Sequence, residues 1–367
     1  MNTAAYIFKH EKASMLSFAL FAILVLMQKN LAAFSLWSHV LLLVFIFSVM
    51  MISIFNVVKH ADVLAERLGE PYGTLILTLS VISVEVALII AMTLIGHAQP
   101  TLARDTMLAV VIIAVNGFAG LALFVGGIRH KTQKFNLQGT NAFLAVLIPM
   151  SVLCLILPNF TNSGHPGEFS FSNGIIIIAL CTLLYITFLI MQTMTHADSF
   201  TMLNLREKEA HDAKHCSANA STFHVIFLFL SLIGLILLSK PFSLYLNHSL
   251  NAFGLPPAFG GFLIALLILM PEGYSAIYSA YENQLQRSVN LCLGSALATI
   301  GLTVPFILAI TLYLNQHLIL GLTPVETILL TLTLGVSLTT FGSEKTNFLN
   351  GAVHLSLFFI YMMLLLS

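Results

Sequence analysis

The sequence predicts an all-α integral membrane protein of eleven transmembrane helices: one N-terminal helix, then two inverted five-helix repeats. Three observations carry this prediction: the composition, the number of apolar runs, and the side on which Lys and Arg collect. Only 8% of the 367 residues are charged and 58% are hydrophobic, whereas a soluble domain carries charge on about a quarter of its residues. So few polar side chains cannot cover a soluble surface, and so apolar a chain is not intrinsically disordered. The net charge is zero and no basic run stands out, which removes the electrostatic footprint of a nucleic-acid binder. A lipid bilayer is the expected partner. Cys154, Cys181, Cys216 and Cys292 show no metal or redox spacing, so no disulfide framework is expected.

A helix needs about 20 mostly apolar residues to cross a bilayer. Such runs fall at 14–29, 36–57, 73–96, 107–127, 141–158, 174–193, 222–239, 259–280, 289–312, 325–341 and 349–366. The first does not read as a signal peptide, because it lacks a small-residue cleavage site and ten more spans follow it. With these spans, Lys9, Lys12, Lys59, Arg67, Arg129, Lys131, Lys134, Arg206, Lys208, Lys214, Arg287 and Lys345 share one side, and only Lys29, Arg104 and Lys240 lie on the other. Cytoplasmic loops carry the excess of Lys and Arg, so the N-terminus is expected inside and the C-terminus outside. One missed span would scramble that asymmetry.

The longest polar stretch, 194–221, is expected to be a cytoplasmic central loop. It separates a first five-span repeat, 36–193, from a second, 222–367, with 1–35 as tail and first helix. Five is odd, so the two repeats must sit in opposite orientations, the geometry of an inverted repeat. Their second spans correspond. Gly73 is followed twelve residues later by Glu85, and Gly260 twelve residues later by Glu272. Twelve residues of helix rise about 18 Å, which brings each carboxyl near the middle of a core about 30 Å thick. Proline precedes each of the two glycines: Pro71 in one span, and the pair Pro256 and Pro257 in the other. The third spans correspond too. Arg104 heads one and Arg287 the other, and twelve residues on stand Asn116 and Thr299.

A charge at the bilayer centre costs on the order of 3 kcal/mol on insertion scales. Two acids in matching positions are therefore expected to line a cavity and share one cation, making Glu85 and Glu272 the candidate metal and proton ligands. Ser275, Ser279 and Asn283 follow Glu272 on one helical stripe, and Thr78 and Thr74 precede Glu85 at helical spacing. Ser295, Thr299 and Thr303 form a stripe in the next span, and Asn116 belongs to the matching span of the first half. Carboxylate, hydroxyl and amide oxygens suit hard cations such as Ca²⁺. Stripes of small residues also pack membrane helices, the plainer use of each hydroxyl. Pro271 withdraws a backbone donor beside Glu272, and a broken helix is expected there. Desolvation and mutual repulsion disfavour two ionised carboxyls in an empty site, so the pair holds either protons or a cation.

Around these residues the chain resembles the ChaA-type bacterial calcium (sodium, potassium)/proton antiporters of the cation/Ca²⁺ exchanger superfamily. The resemblance is strongest in His60–Gly73, Pro271-Glu-Gly273, Asn283–Arg287, Leu297–Pro305 and Thr346–His354. It implies the exchanger fold and alternating access around two essential acids, which carry over to Glu85 and Glu272. It also implies a bacterial inner membrane, and extrusion of cytoplasmic Ca²⁺, or of Na⁺ or K⁺, against proton entry. No cofactor is expected beyond the transported ions. The family's Gly-Asn before each acid is absent here, whereas its Gly-Ser on the following helix persists as Gly294-Ser295. An intramembrane enzyme is disfavoured: there is no His-Glu-x-x-His and no Gly-x-Ser-x-Gly. A passive channel would need a continuous pore. His211 and His215 read as a solvated loop, His354 as a packed helix contact, and Asp62, Glu66 and Glu70 as a solvated acidic face.

Overall fold

The computed structural model describes residues 11–27, 36–68, 72–95, 100–161, 164–196, 199–200 and 218–366. Among these, nine helices are long and apolar enough to cross a membrane. The other two of the eleven expected runs fall on α1 (Lys12–Met27) and α3 (Tyr72–Ile95), where the shorter apolar stretches are Ser14–Leu26 and Leu79–Ile90. Of the central loop, 197–198 and 201–217 lie outside the described residues, and His211, His215 and Cys216 lie with them. The chain divides into two compact units.

The first unit holds α1, α2 (Leu36–Leu68), α3 and α8 (Ala218–Phe253). α2 and α8 pack in antiparallel register: Trp37 meets Phe253, His39 meets His248, Phe47 meets Phe242 and His60 meets His224. Both are longer than their apolar runs. α2 has 33 residues, a rise of about 50 Å. α8 has 36 and continues through Lys240 and Pro241, where the apolar run stops. Membrane helices tolerate such a proline because neighbouring groups satisfy the freed carbonyl.

The second unit holds the remaining helices. Two of them are interrupted. α4 (Leu102–Val111) passes through a π-helical segment, Ile112–Phe118, into α5 (Ala119–His130). α10 (Leu285–Ala298) passes through another, Thr299–Thr303, into α11 (Val304–Tyr313). These two composite helices are 78% and 72% buried along their apolar stretches, against 28% for α7 (Phe171–Ile190 with its π-helical end) and α13 (Phe348–Leu366). They form the core of this unit, and the outer helices present Leu183, Ile176, Phe359 and Met363 outward, as side chains facing lipid should be.

The packing within this unit is reciprocal. α5 lies antiparallel to α13, with Gly117 beside Phe358, Gly120 beside His354 and Gly127 beside Phe348. α11 and its π segment lie antiparallel to α7, with Gly301 beside Tyr185 and Leu312 beside Gly174. Two loop contacts match in the same way. The two-residue strand β1 (Gln133–Lys134) pairs antiparallel with β2 (Lys345–Thr346). Leu320 and Gly321 both donate backbone hydrogen bonds to the Gly167 carbonyl. α6 (Leu137–Leu155) and α12 (Pro324–Phe341) complete the unit. α12 starts with a capping box, Thr323 bonding the Glu326 amide and Glu326 returning to the Thr323 amide.

The α5–α13 crossing needs glycine. A Cβ on Gly351 would run into the backbone amide of Phe124, and would stand 2.7 Å from the Gly120 carbonyl. Gly351→Val is therefore expected to lower the thermal midpoint of the detergent-solubilised protein by several degrees, at an overpacking cost of about 1–3 kcal/mol. Gly335→Val is the control, because nothing lies within 4 Å of its Cβ position. Equal midpoints for the two variants would contradict this packing.

Candidate functional site

Glu85 lies on α3 in the first unit and is 1% exposed, between the buried Val84 and Val86. Leu88 and Ile89 continue the same apolar surroundings. The side chains of Thr74 and Thr78, expected on its stripe, lie outside the described residues.

Glu272 lies on α9 (Ala258–Tyr281) in the second unit and is half-buried. Ser295 on α10 donates its hydroxyl to Glu272 Oε2 at 2.8 Å. One turn on, Thr299 is buried at the start of the π segment, and Thr303 follows at its end. The stripe Ser295–Thr299–Thr303 expected from spacing therefore has its first hydroxyl on the acid. α9 runs alongside α4 and its π segment in the same direction. A Cβ on Gly261 would meet the Thr106 amide at 2.8 Å, and one on Gly273 would run into the Phe118 ring. That register sets Glu272 level with the turn that holds Asn116.

Asn116 sits inside the π segment and is fully buried. Its Nδ2 donates to Thr333 Oγ1 at 2.7 Å, and its Oδ1 accepts from His354 Nδ1 at 2.8 Å. π-helical turns occur mostly as single bulges and often at functional sites. Here the two residues matched by spacing, Asn116 and Thr299, both fall in one.

Two expectations need correction. Asn283 does not continue the stripe of Glu272. α9 ends at Tyr281, and Asn283 adopts a left-handed turn with φ of 61°, where its Oδ1 accepts from Gln133 Nε2 at 3.0 Å. Asn tolerates that conformation and commonly follows a helix end. Nor is α9 broken at Pro271, which lies inside a continuous helix. The irregular backbone is displaced to the neighbouring composite helices. Of the stripe itself, Ser279 is buried but gives its hydroxyl to the Ser275 carbonyl at 2.8 Å, and Ser275 is half-buried. A further buried acid lies in an apolar helix of the second unit. Asp105, in the first turn of α4, is 3% exposed and pairs with Arg104 at 2.8 Å. The adjacent Arg104-Asp105 pair was the available sequence signal.

The first unit holds a second buried polar cluster that spacing did not disclose. Glu11 Oε2 lies 3.1 Å from His60 Nε2 and accepts from Asn56 Nδ2 at 3.2 Å, while His60 Nδ1 lies 2.8 Å from His224 Nδ1. Its members come from α2, α8 and the residue before α1, so no local motif announces it. Among the described residues no three His, Cys, Asp or Glu side chains gather into a metal-holding group. Beside Glu272 stands the Ser295 hydroxyl and, at its level, the Asn116 amide, the oxygen chemistry of hard cations.

A supported acid at mid-helix, beside π-interrupted helices in a multi-pass membrane protein, defines an ion-handling membrane protein. The chain belongs to the family described as "Sodium/calcium exchanger protein", which matches residues 37–194 and again 223–367. The sodium-potassium/proton antiporter ChaA of Escherichia coli (strain K12) is 40% identical over 313 residues, 85% of this chain and 85% of that protein. Two solved structures share the fold. Native YfkE aligns with a TM-score of 0.73 at 18% identity, covering 95% of this chain and 99% of that one. The H⁺/Ca²⁺ exchanger CAX aligns with a TM-score of 0.67 at 15% identity, covering 97% and 88%.

A hydrogen bond to a charged group contributes about 1.5–3 kcal/mol. Ser295→Ala is expected to raise the half-saturating cation concentration for transport roughly tenfold, and Ser295→Thr to restore most of the loss. An unchanged half-saturation in Ser295→Ala would separate this hydroxyl from cation binding.

Proposed function

We propose that the chain is a secondary-active cation/proton antiporter in which Glu85 and Glu272 bind cation and protons in turn. The observation that carries the reading is Glu272, an ionisable group halfway along an apolar helix, held by the Ser295 hydroxyl. Such a group is costly in lipid. It persists where a cation or a proton neutralises it. In the proposed cycle, proton loss from the glutamates admits the cation, and protonation from the outer side expels it. Two protons exchanged for one Ca²⁺ balance the charge of two carboxylates. Membership of the exchanger family and the antiporter relatives support exchange over passive flow. Ca²⁺ is the first substrate, on the oxygen donors beside Glu272. A second reading, Na⁺ or K⁺ exchange at the same glutamates, is favoured by the name of the 40% identical relative.

We also read the membrane part as two inverted five-helix repeats after α1. One family matches both stretches. α2 and α8, the first helices of the two halves, run antiparallel, as inversion requires. In the second unit, the third helix of each half packs antiparallel on the fifth helix of the other. The Lys and Arg count supports a cytoplasmic N-terminus and an outer C-terminus, and the likeness to a bacterial antiporter supports placement in a bacterial inner membrane.

The test uses everted membrane vesicles carrying the protein and an imposed proton gradient. Adding Ca²⁺, Na⁺ or K⁺ in turn is expected to collapse the gradient, and the ranking of the three sets selectivity. Glu85→Gln and Glu272→Gln are each expected to abolish the response. Full activity in either variant removes that residue from the mechanism. Activity is expected to rise between about pH 6 and pH 9, because protons compete with the cation for the same carboxylates. A rate independent of pH across that range would contradict shared binding.

A further inference from the structure

The cluster around Asn116 contains a titratable group that the proposed cycle does not use. His354 on α13 is fully buried, as are Asn116 and Thr333, and Thr340 is 3% exposed. The four side chains form one chain of hydrogen bonds. Asn116 Nδ2 donates to Thr333 Oγ1, Asn116 Oδ1 lies 2.8 Å from His354 Nδ1, and His354 Nε2 lies 3.1 Å from Thr340 Oγ1. The carboxamide oxygen can only accept, so His354 Nδ1 carries the proton of that bond. Thr333 and Thr340 lie seven residues apart on α12, two turns on one face. The amide is therefore gripped at both ends, its nitrogen by α12 and its oxygen by α13.

The backbone is shaped for this grip. A Cβ on Gly120 would stand 2.9 Å from His354 Cβ, so the absence of one lets α13 bring the imidazole against the π segment. The corresponding crossing of α11 with α7 brings Tyr185 against Gly301, with no histidine. The two crossings share geometry and differ in chemistry, so packing alone does not call for His354.

An amide left to itself can turn over. Its oxygen and nitrogen ends are almost the same size, and only hydrogen bonds distinguish them. A flip at Asn116 would exchange a cation-binding oxygen for an N–H donor at the level of Glu272. The oxygen has two lone pairs, and His354 occupies one of them.

We propose that His354 is a positioning residue for cation binding: through its Nδ1–H it fixes the Asn116 carboxamide with the oxygen oriented for the transported cation. This rests on the antiporter reading and on Asn116 as one of its ligands. His354 neither touches the cation nor carries the exchanged proton.

The test measures half-saturating concentration and maximal rate in everted vesicles for Ca²⁺, Na⁺ and K⁺, with the amount of membrane-inserted protein measured in parallel. His354→Leu keeps the bulk and removes the donor. It is expected to raise the half-saturating concentration about tenfold, the loss of one buried hydrogen bond, with a smaller effect on maximal rate. His354→Asn places an amide nitrogen close to the position of Nδ1 and is expected to recover most of that loss. Thr333→Val releases the other end of the amide without touching His354 and is expected to act as His354→Leu does. In an Asn116→Ala background, His354→Leu is expected to add nothing, because a residue acting through Asn116 has nothing left to act on.

Four results would overturn the proposal: normal half-saturation in His354→Leu, additive effects of His354→Leu and Asn116→Ala, no rescue by His354→Asn, or a flattened pH profile in His354→Asn, which would make His354 a proton carrier. If His354→Leu does not insert, Thr333→Val alone decides: normal half-saturation overturns the proposal. Glu85→Gln and Glu272→Gln separate this from the underlying reading. If they are inactive while His354→Leu binds normally, only the positioning role fails. If they transport normally, the antiporter reading itself fails.

Discussion

Inside hydrocarbon there is no water to satisfy a polar group, so each one must find its partner within the protein. The second unit is organised around that constraint. Its two composite helices are its most buried and carry Asn116, Ser295, Thr299 and Thr303. Asn116 finds its partners on α12 and α13, and Ser295 finds its partner in the acid of α9. The outer helices α7 and α13 leave most of their length to lipid and turn only selected faces inward, Tyr185 on one and His354 on the other. Polar placement and helix placement are thus one decision.

The same constraint gives the π segments a use. A regular helix spends its backbone groups on itself. A π turn widens the helix and redirects the side chains around it. In the composite helices it falls where Asn116 and Thr299 stand, next to the helix that carries the acid in one case and one turn beyond the hydroxyl that bonds the acid in the other. Irregular backbone at membrane depth is tolerated only where protein surrounds it, and both segments are almost wholly buried. The helix α9 itself stays continuous through Pro271 and Glu272.

Much of this is legible in the sequence because membranes simplify the code. Apolar runs mark the spans, and the twelve-residue spacings pick out Glu85, Glu272, Asn116 and Thr299 without any knowledge of packing. What escapes is set by tertiary contact. Asn283 shares the spacing of the Glu272 stripe, but helical spacing means nothing once the chain leaves the helix, and a left-handed turn claims that residue. α8 carries Lys240 and Pro241 in its interior, so its apolar run stops early although the helix continues to Phe253. His60 and Glu11 are 49 residues apart and meet only through packing. His354 reads from sequence as a packed contact. It is one, but the contact is to the amide that spacing singles out, a relation no local pattern encodes.

The central claim is that hydrogen ions and the transported metal occupy the same carboxylates. Proton release from purified protein tests it directly. In weakly buffered detergent solution near neutral pH, adding Ca²⁺ should acidify the medium in proportion to the ion bound, approaching two protons per Ca²⁺, and the signal should vanish in the double variant Glu85→Gln/Glu272→Gln. Saturable Ca²⁺ binding that releases no protons would contradict the account.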